Sequence, residues 1–140
     1  MRYVLDTNVV VAGLRSPSGA SAALIDHALS EGFTLLLSVA LALEYEAVCR
    51  DPAQRIVSGL SEEEVSTAVS ALCAVCEPVE ARYLWRPQLR DAADEMVFET
   101  AVNGRADALV TFNRKDFGDV PAQFGVALQS PREALRGLTW

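Results

Sequence analysis

Three short segments, each apolar at nearly every position and each stopping at polar residues, constrain the fold of this chain more than anything else in it. Residues 2–5 read Arg-Tyr-Val-Leu and run into Asp6, Thr7 and Asn8. Residues 33–38 read Phe-Thr-Leu-Leu-Leu-Ser, and residues 108–112 read Ala-Leu-Val-Thr-Phe before Asn113. A strand that is apolar at consecutive rather than alternate positions must be covered on both faces, as parallel strands inside an α/β layer structure are.

The segments between them carry helical signals. Pro17-Ser18-Gly19 opens a stretch with Ala22, Ala23, Leu24, Ile25, Ala28 and Leu29 at near-helical spacing, and Gly32 closes it. Residues 39–49 are rich in Ala, Leu and Glu, and Asp51-Pro52 ends that helix. Ser61 and Glu64 form a capping box that starts a helix reaching about Cys76 along Val65, Ala68, Val69, Leu72 and Val75. Residues 77–80 read as a third strand, and residues 81–90, broken by Pro87, give no clear element. A helix is expected over 94–103 with Gly104 as its stop, a last strand over 126–128, and a final short helix capped by Ser130-Pro131-Arg132-Glu133. The pattern predicts one domain over residues 1–140, a three-layer α/β/α sandwich around a central, mostly parallel sheet. In such sheets the working site lies beyond the carboxyl ends of the strands.

Composition narrows the function classes. Twelve Lys plus Arg against nineteen Asp plus Glu give a net charge of −7, which argues against gripping nucleic acid by overall positive charge. The basic residues are eleven arginines and one lysine, Lys115, so cationic contacts favour the planar, bidentate guanidinium. Three cysteines are an odd number for a disulfide scaffold, and a cytoplasmic protein is expected. Cys73 and Cys76 form C-x-x-C on an apolar helical stripe and read as core thiols rather than a zinc or redox site. The apolar runs are too short or too interrupted for a membrane span, which needs about 20 residues.

Several carboxylates stand in apolar company. Asp6 follows Tyr3-Val4-Leu5 and precedes Val9-Val10-Val11, a costly place for a charge unless something binds it. Its ordinary role there is a helix cap, shared with Thr7 or Asn8. Glu44 lies on a largely apolar helical stripe, while Glu46 takes the opposite, solvated face; a surface glutamate is the alternative for Glu44. In Asp91-Ala92-Ala93-Asp94-Glu95, Asp94 heads the stripe of Val97, Phe98, Ala101 and Val102 and is expected on the core side, with Glu95 and Glu99 elsewhere. Capping is the ordinary role of such an Asp, as turn formation is for Asn113. Together these groups crowd like charges at strand ends. A hard divalent cation, Mg²⁺ or Mn²⁺, is the simplest remedy, and the single His27, on a separate helix, supplies no soft ligand.

The segments Val4-Leu5-Asp6-Thr7-Asn8-Val9, 38–44, 90–95 and Ala106-Asp107-Ala108-Leu109-Val110-Thr111-Phe112-Asn113 resemble, in this order and spacing, the PIN domain family, in particular its compact VapC-like toxins. The resemblance implies a parallel sheet between helices, an acidic pocket for Mg²⁺ or Mn²⁺, and endoribonuclease activity. It also implies a homodimer and a small antitoxin partner. Carried over, it puts the core acids at Asp6, Glu44 and Asp94. The fourth family position, often Asp, falls near Asn113, with Asp116 as a substitute and Asp91 as an outer acid. The cation is expected to lower the pKa of a bound water and stabilise charge on phosphate oxygens, with Asn113 or Asp116 orienting that water. Arg82, Arg86 and Arg90, with Tyr83 and Trp85 between them, and Arg114 and Lys115 are the expected RNA contacts; a solvated surface or a protein interface is the alternative.

Two other functions fit parts of the pattern. A Mg²⁺-dependent phosphatase or phosphoacceptor domain would use Asp6 as nucleophile, but a haloacid-dehalogenase-like enzyme wants D-x-D and this chain has Asn8 at the second position. A catalytically idle PIN-like module that binds RNA or protein is favoured by Asn113 and by the net charge.

Overall fold

The computed structural model describes residues 1–80 and 88–138. Five strands, β1 (Arg2–Leu5), β2 (Thr34–Leu37), β3 (Glu77–Pro78), β4 (Ala108–Val110) and β5 (Ala127–Gln129), form one sheet in the order β3-β2-β1-β4-β5. Every pairing is parallel, with Tyr3 opposite Leu35 on one side of β1 and opposite Ala108 on the other. Tyr3, Val4, Leu5, Leu36, Leu109 and Val110 are fully buried, as strands covered on both faces require.

The helices are α1 (Thr7–Arg15), α2 (Ala20–Leu29), α3 (Val39–Arg50), α4 (Pro52–Ser58), α5 (Glu62–Val75), α6 (Ala92–Asn103), α7 (Arg114–Phe117), α8 (Val120–Gln123) and α9 (Pro131–Arg136). Ser61 and Ser130 head complete capping boxes, with Glu64 and Glu133 reaching back to the cap N–H. Four helices were not foreseen: α1, α4, α7 and α8. Asp51 ends α3 as expected, but with Pro52 behind it the same residue also caps α4. Gly104 ends α6 where the structure has room for nothing larger: a Cβ there would lie 2.9 Å from both the Thr100 carbonyl oxygen and Val79 Cγ2.

One side-chain assignment needs correction. Cys73 is exposed and Cys76 half-buried at the end of α5, so only Cys49 is a core thiol. Near the end of the described residues, Leu138 is buried and Leu135 packs against the core.

The strand order places the site. After β1 the chain builds outward through β2 and β3, and then crosses back to add β4 and β5 on the other side. The carboxyl ends of β1 and β4 therefore flank the point where the winding reverses, the place where open α/β sheets leave a crevice.

Candidate active site

Asp6 is the first residue past β1 and the N-cap of α1, so one local geometry serves two purposes. Its carboxylate accepts from the Thr7 N–H at 2.7 Å and from the Thr111 hydroxyl, just past β4, at 2.7 Å. Thr111 is fully buried and Asp6 is 7% exposed, so the pair bridges the two central strands out of solvent. Thr111 Oγ1 in turn accepts from the Asn113 N–H at 3.0 Å, which turns the chain after β4. Beneath Asp6, the buried Tyr45 hydroxyl donates to the Leu5 carbonyl and ties α3 to the end of β1.

Asp94 stands in the first turn of α6, half-buried. Asp91 caps that helix by accepting from the Ala93 N–H at 2.7 Å. Burial pushes the Asp94 carboxyl up to about 6, helped by the negative charges of Asp6, Asp91 and Asp116. Burial also raises Asp6; the Thr111 and Thr7 hydrogen bonds oppose it, and Asp116 and Asp91 reinforce it. Asp6 and Asp94 thus both feel the charges of Asp91 and Asp116 at the carboxyl end of the sheet. Asp91, Asp94 and Asp116 line a cleft of about 480 Å³ together with Arg90 and Lys115.

The other expected residues are placed less centrally. Glu44 is half-buried on α3, and the acids that raise Asp6 and Asp94 do not include it. Glu46 is not the solvated partner expected, because it accepts from Ser66 at 3.0 Å and pairs with Arg50. Asn113 is exposed, and its side chain makes no capping hydrogen bond to α7. Arg114 is held in an ion pair with Glu133, leaving Arg90 and Lys115 as the cleft's cations among the described residues. Arg82, Arg86, Tyr83 and Trp85 lie outside the described residues.

The reading of α6 reverses at Glu95, which is buried while Asp94 is half-exposed. The buried carboxylate accepts from the Gln88 N–H at 3.0 Å and the Leu89 N–H at 2.8 Å, charge-assisted bonds that offset its desolvation. Glu95 therefore holds the segment that leads to the cleft, while Asp94 faces it. Thr111 was missed as a functional residue altogether; the signal was its place one step after an apolar strand opposite Asp6.

A PIN domain family model matches residues 2–115. The chain belongs to the PIN domain family. No curated protein and no solved structure matches it. PIN domains are generally nucleases that use Mg²⁺ or Mn²⁺, and the donor set can be tested against such an ion. Among the described residues, no three His, Cys, Asp or Glu side chains converge into a closed coordination shell. Mg²⁺ does not need one, since it keeps several waters and is usually held by one or two carboxylates together with substrate phosphates. Asp6 and Asp94, all-oxygen donors whose carboxyls are raised partly by neighbouring negative charge, fit that description. Among the described residues no helix is long and apolar enough to cross a membrane.

Proposed function

We propose that this PIN domain is a divalent-cation-dependent endoribonuclease and the toxin component of a toxin–antitoxin pair. The observation that carries the reading is the pair of carboxyls raised by burial and by neighbouring acids at the switch point of the sheet: Asp6 by Asp116 and Asp91, and Asp94, in the cleft, by Asp6, Asp91 and Asp116. Asp6 and Asp94 are the proposed direct holders of the cation, with Glu44, Asp91 and Asp116 as outer acids. When bound, the cation supplies a more acidic water and positive charge beside the scissile phosphate. The Thr111 hydroxyl and the Thr7 N–H favour the charged form of Asp6 against its burial and fix its orientation. Asn113 or Asp116 orients the attacking water, and Arg90 and Lys115 draw the RNA backbone to an otherwise acidic cleft.

The experiment is incubation of the purified protein with structured RNA in Mg²⁺, in Mn²⁺ and in EDTA, beside Glu44→Gln and Asp94→Asn variants. Metal-dependent cleavage lost in the variants is expected. Cleavage that persists in EDTA or in both variants refutes the metal-nuclease reading. Phosphatase activity without RNA cleavage would favour a phosphoacceptor domain, and RNA binding without any metal-dependent activity an idle module. The antitoxin and the homodimer belong to the same proposal. Val39 and Leu43 on α3 and Ile56 and Val57 on α4 are large apolar side chains left exposed for such partners. Light scattering of the protein alone, and after co-expression with a small neighbouring reading frame, tests both.

A further inference from the structure

A second cleft, of about 440 Å³, opens beside the carboxyl ends of β4 and β5, between the end of α1 and the amino ends of α2 and α9. In a chain with nineteen acidic residues its lining holds no carboxylate, and its one charged member is Arg132. Arg132 is exposed and has no ion-pair partner among the described residues. Three further features point the same way. The ten-residue α2 begins at Gly19, which has no side chain to cap it, and has no acid in its first turn, so its N–H groups face the cleft region uncompensated. Ser21, in that first turn, lines the cleft, is 4% exposed, and its hydroxyl has no partner among the described residues. Phe112, also in the lining, is 53% exposed, a large ring left in water one residue after the threonine that holds Asp6.

The connection to the acidic site is short. The Thr111 hydroxyl is 2.7 Å from Asp6, and the Phe112 N–H faces Asn8 Oδ1 at 3.5 Å. Ala12 of the cleft lies six residues beyond Asp6, which at about 1.5 Å per residue is roughly 9 Å along α1. A strand whose phosphate sits at Asp6 reaches this cleft with an adjoining nucleotide.

We propose that this cleft is a nucleotide subsite for the single-stranded RNA cut at the acidic site. A phosphate sits between Arg132 and the amino end of α2, and a base stacks on Phe112. The inference rests on the ribonuclease reading and adds where the substrate is held beside the scissile bond. Aromatic stacking tolerates any base, so the subsite supplies affinity and placement rather than sequence choice. Phe112 and Arg132 are here positioning and binding residues. They do not touch the reacting atoms.

The test is fluorescence anisotropy with a labelled seven-nucleotide single-stranded RNA, in Ca²⁺ to keep it uncut, together with Mg²⁺ cleavage kinetics. The proteins are wild type, Phe112→Ala, Phe112→Trp, Arg132→Ala and, as a surface control, Ser70→Ala on the exposed face of α5. Phe112→Ala is expected to weaken binding roughly fivefold or more and to raise KM more than it lowers kcat, with Phe112→Trp restoring both. Arg132→Ala is expected to reduce the slope of log Kd against log salt by roughly 0.7, the value of one phosphate contact on a single strand. If wild type cleaves RNA while Phe112→Ala and Arg132→Ala bind within twofold of it, the subsite is overturned and the ribonuclease reading stands. If wild type neither binds nor cleaves RNA, the ribonuclease reading falls and takes the subsite's occupant with it. If inorganic phosphate competes with the RNA equally well in wild type and Phe112→Ala, the cleft is an anion site and the nucleotide assignment is overturned.

Discussion

Replacing Asp94 by Asn is expected to stabilise the protein in the absence of divalent cations while abolishing its nuclease activity. The Asp94 carboxyl rises from an ordinary 3.8 to about 6 in the folded state, through burial first and then the charges of Asp6, Asp91 and Asp116. Between those two pH values the folded chain binds more protons than the unfolded one, so stability falls as pH rises through the window and the cost is complete above it. At about 1.4 kcal/mol per tenfold in proton affinity the full displacement is worth roughly 3 kcal/mol. The side chain is half-exposed and solvent screens it, so about 1 kcal/mol is the share expected in practice. A first-turn carboxylate also gains roughly 0.3–1 kcal/mol from the α6 dipole, but the direction of the Asp94 carboxyl says that burial and repulsion win. In EDTA at pH 7.5 the variant should melt about 3 °C above wild type, and the gap should close below about pH 4, where Asp94 is protonated in both states. Millimolar Mg²⁺ should reverse the order, raising the wild-type Tm and leaving the variant unmoved. A variant that melts below wild type in EDTA, or a ¹³C titration that puts the Asp94 midpoint at or below its ordinary value, refutes the argument.

Three further outcomes follow from single contacts. Thr111→Val keeps the shape of a fully buried side chain but removes the donor to Asp6, and should lower the unfolding free energy in urea by roughly 1.5–3 kcal/mol, with Thr111→Ser restoring most of it. Glu95→Ala removes the acceptor for the Gln88 and Leu89 N–H groups, so hydrogen exchange should accelerate at these two amides while Leu109 in β4 keeps its protection. Gly104→Ala sets a Cβ 2.9 Å from a carbonyl oxygen and from Val79, and 3.0 Å from Leu36 Cδ1, and should cost roughly 1–3 kcal/mol by thermal melting.

The elements legible in the sequence are those whose local and tertiary signals agree. β1, β2 and β4, apolar runs stopped by polar residues, and the capping boxes at Ser61 and Ser130 are of this kind, whereas β3, only Glu77–Pro78, is a strand by its pairing with β2 rather than by its residue types. α1 was not legible, because Val9, Val10 and Val11 are β-branched and favour a strand. Two tertiary conditions override that preference: Asp6 caps the helix, and Gly13 allows α2 so close that a Cβ there would meet Ile25 Cδ1 at 2.4 Å. At the site, strand-end position was enough to find Asp6, the apolar stripe of α6 pointed to Asp94, and Asp91 and Asp116 came only from the resemblance to PIN domains; periodicity was the weak step. It did not distinguish Asp94 from Glu95. On α6 those neighbours differ by one helical step of about 100°, and what decides between them is the partner. Glu95 turns inward because two backbone N–H groups await it there, a condition set by a segment several residues away and invisible to periodicity.

The net charge of −7 takes its meaning from where the acids lie. Glu46, Glu62, Glu77 and Glu133 are each matched with an arginine, and Glu64 and Glu133 close capping boxes. These acids are neutralised locally and favour the fold. Asp6 and Asp94 lie where burial raises their carboxyls and the charges of Asp91 and Asp116 add to it, without an arginine matched to them among the described residues. A chain that ionises these four groups at one end of its sheet gives up stability there, and either a proton or a cation restores it. The proton acts only below about pH 6, the Asp94 value. At neutral pH the cation is the remaining agent, so RNA affinity should collapse in EDTA, where the same carboxylates repel the phosphates they otherwise help to hold.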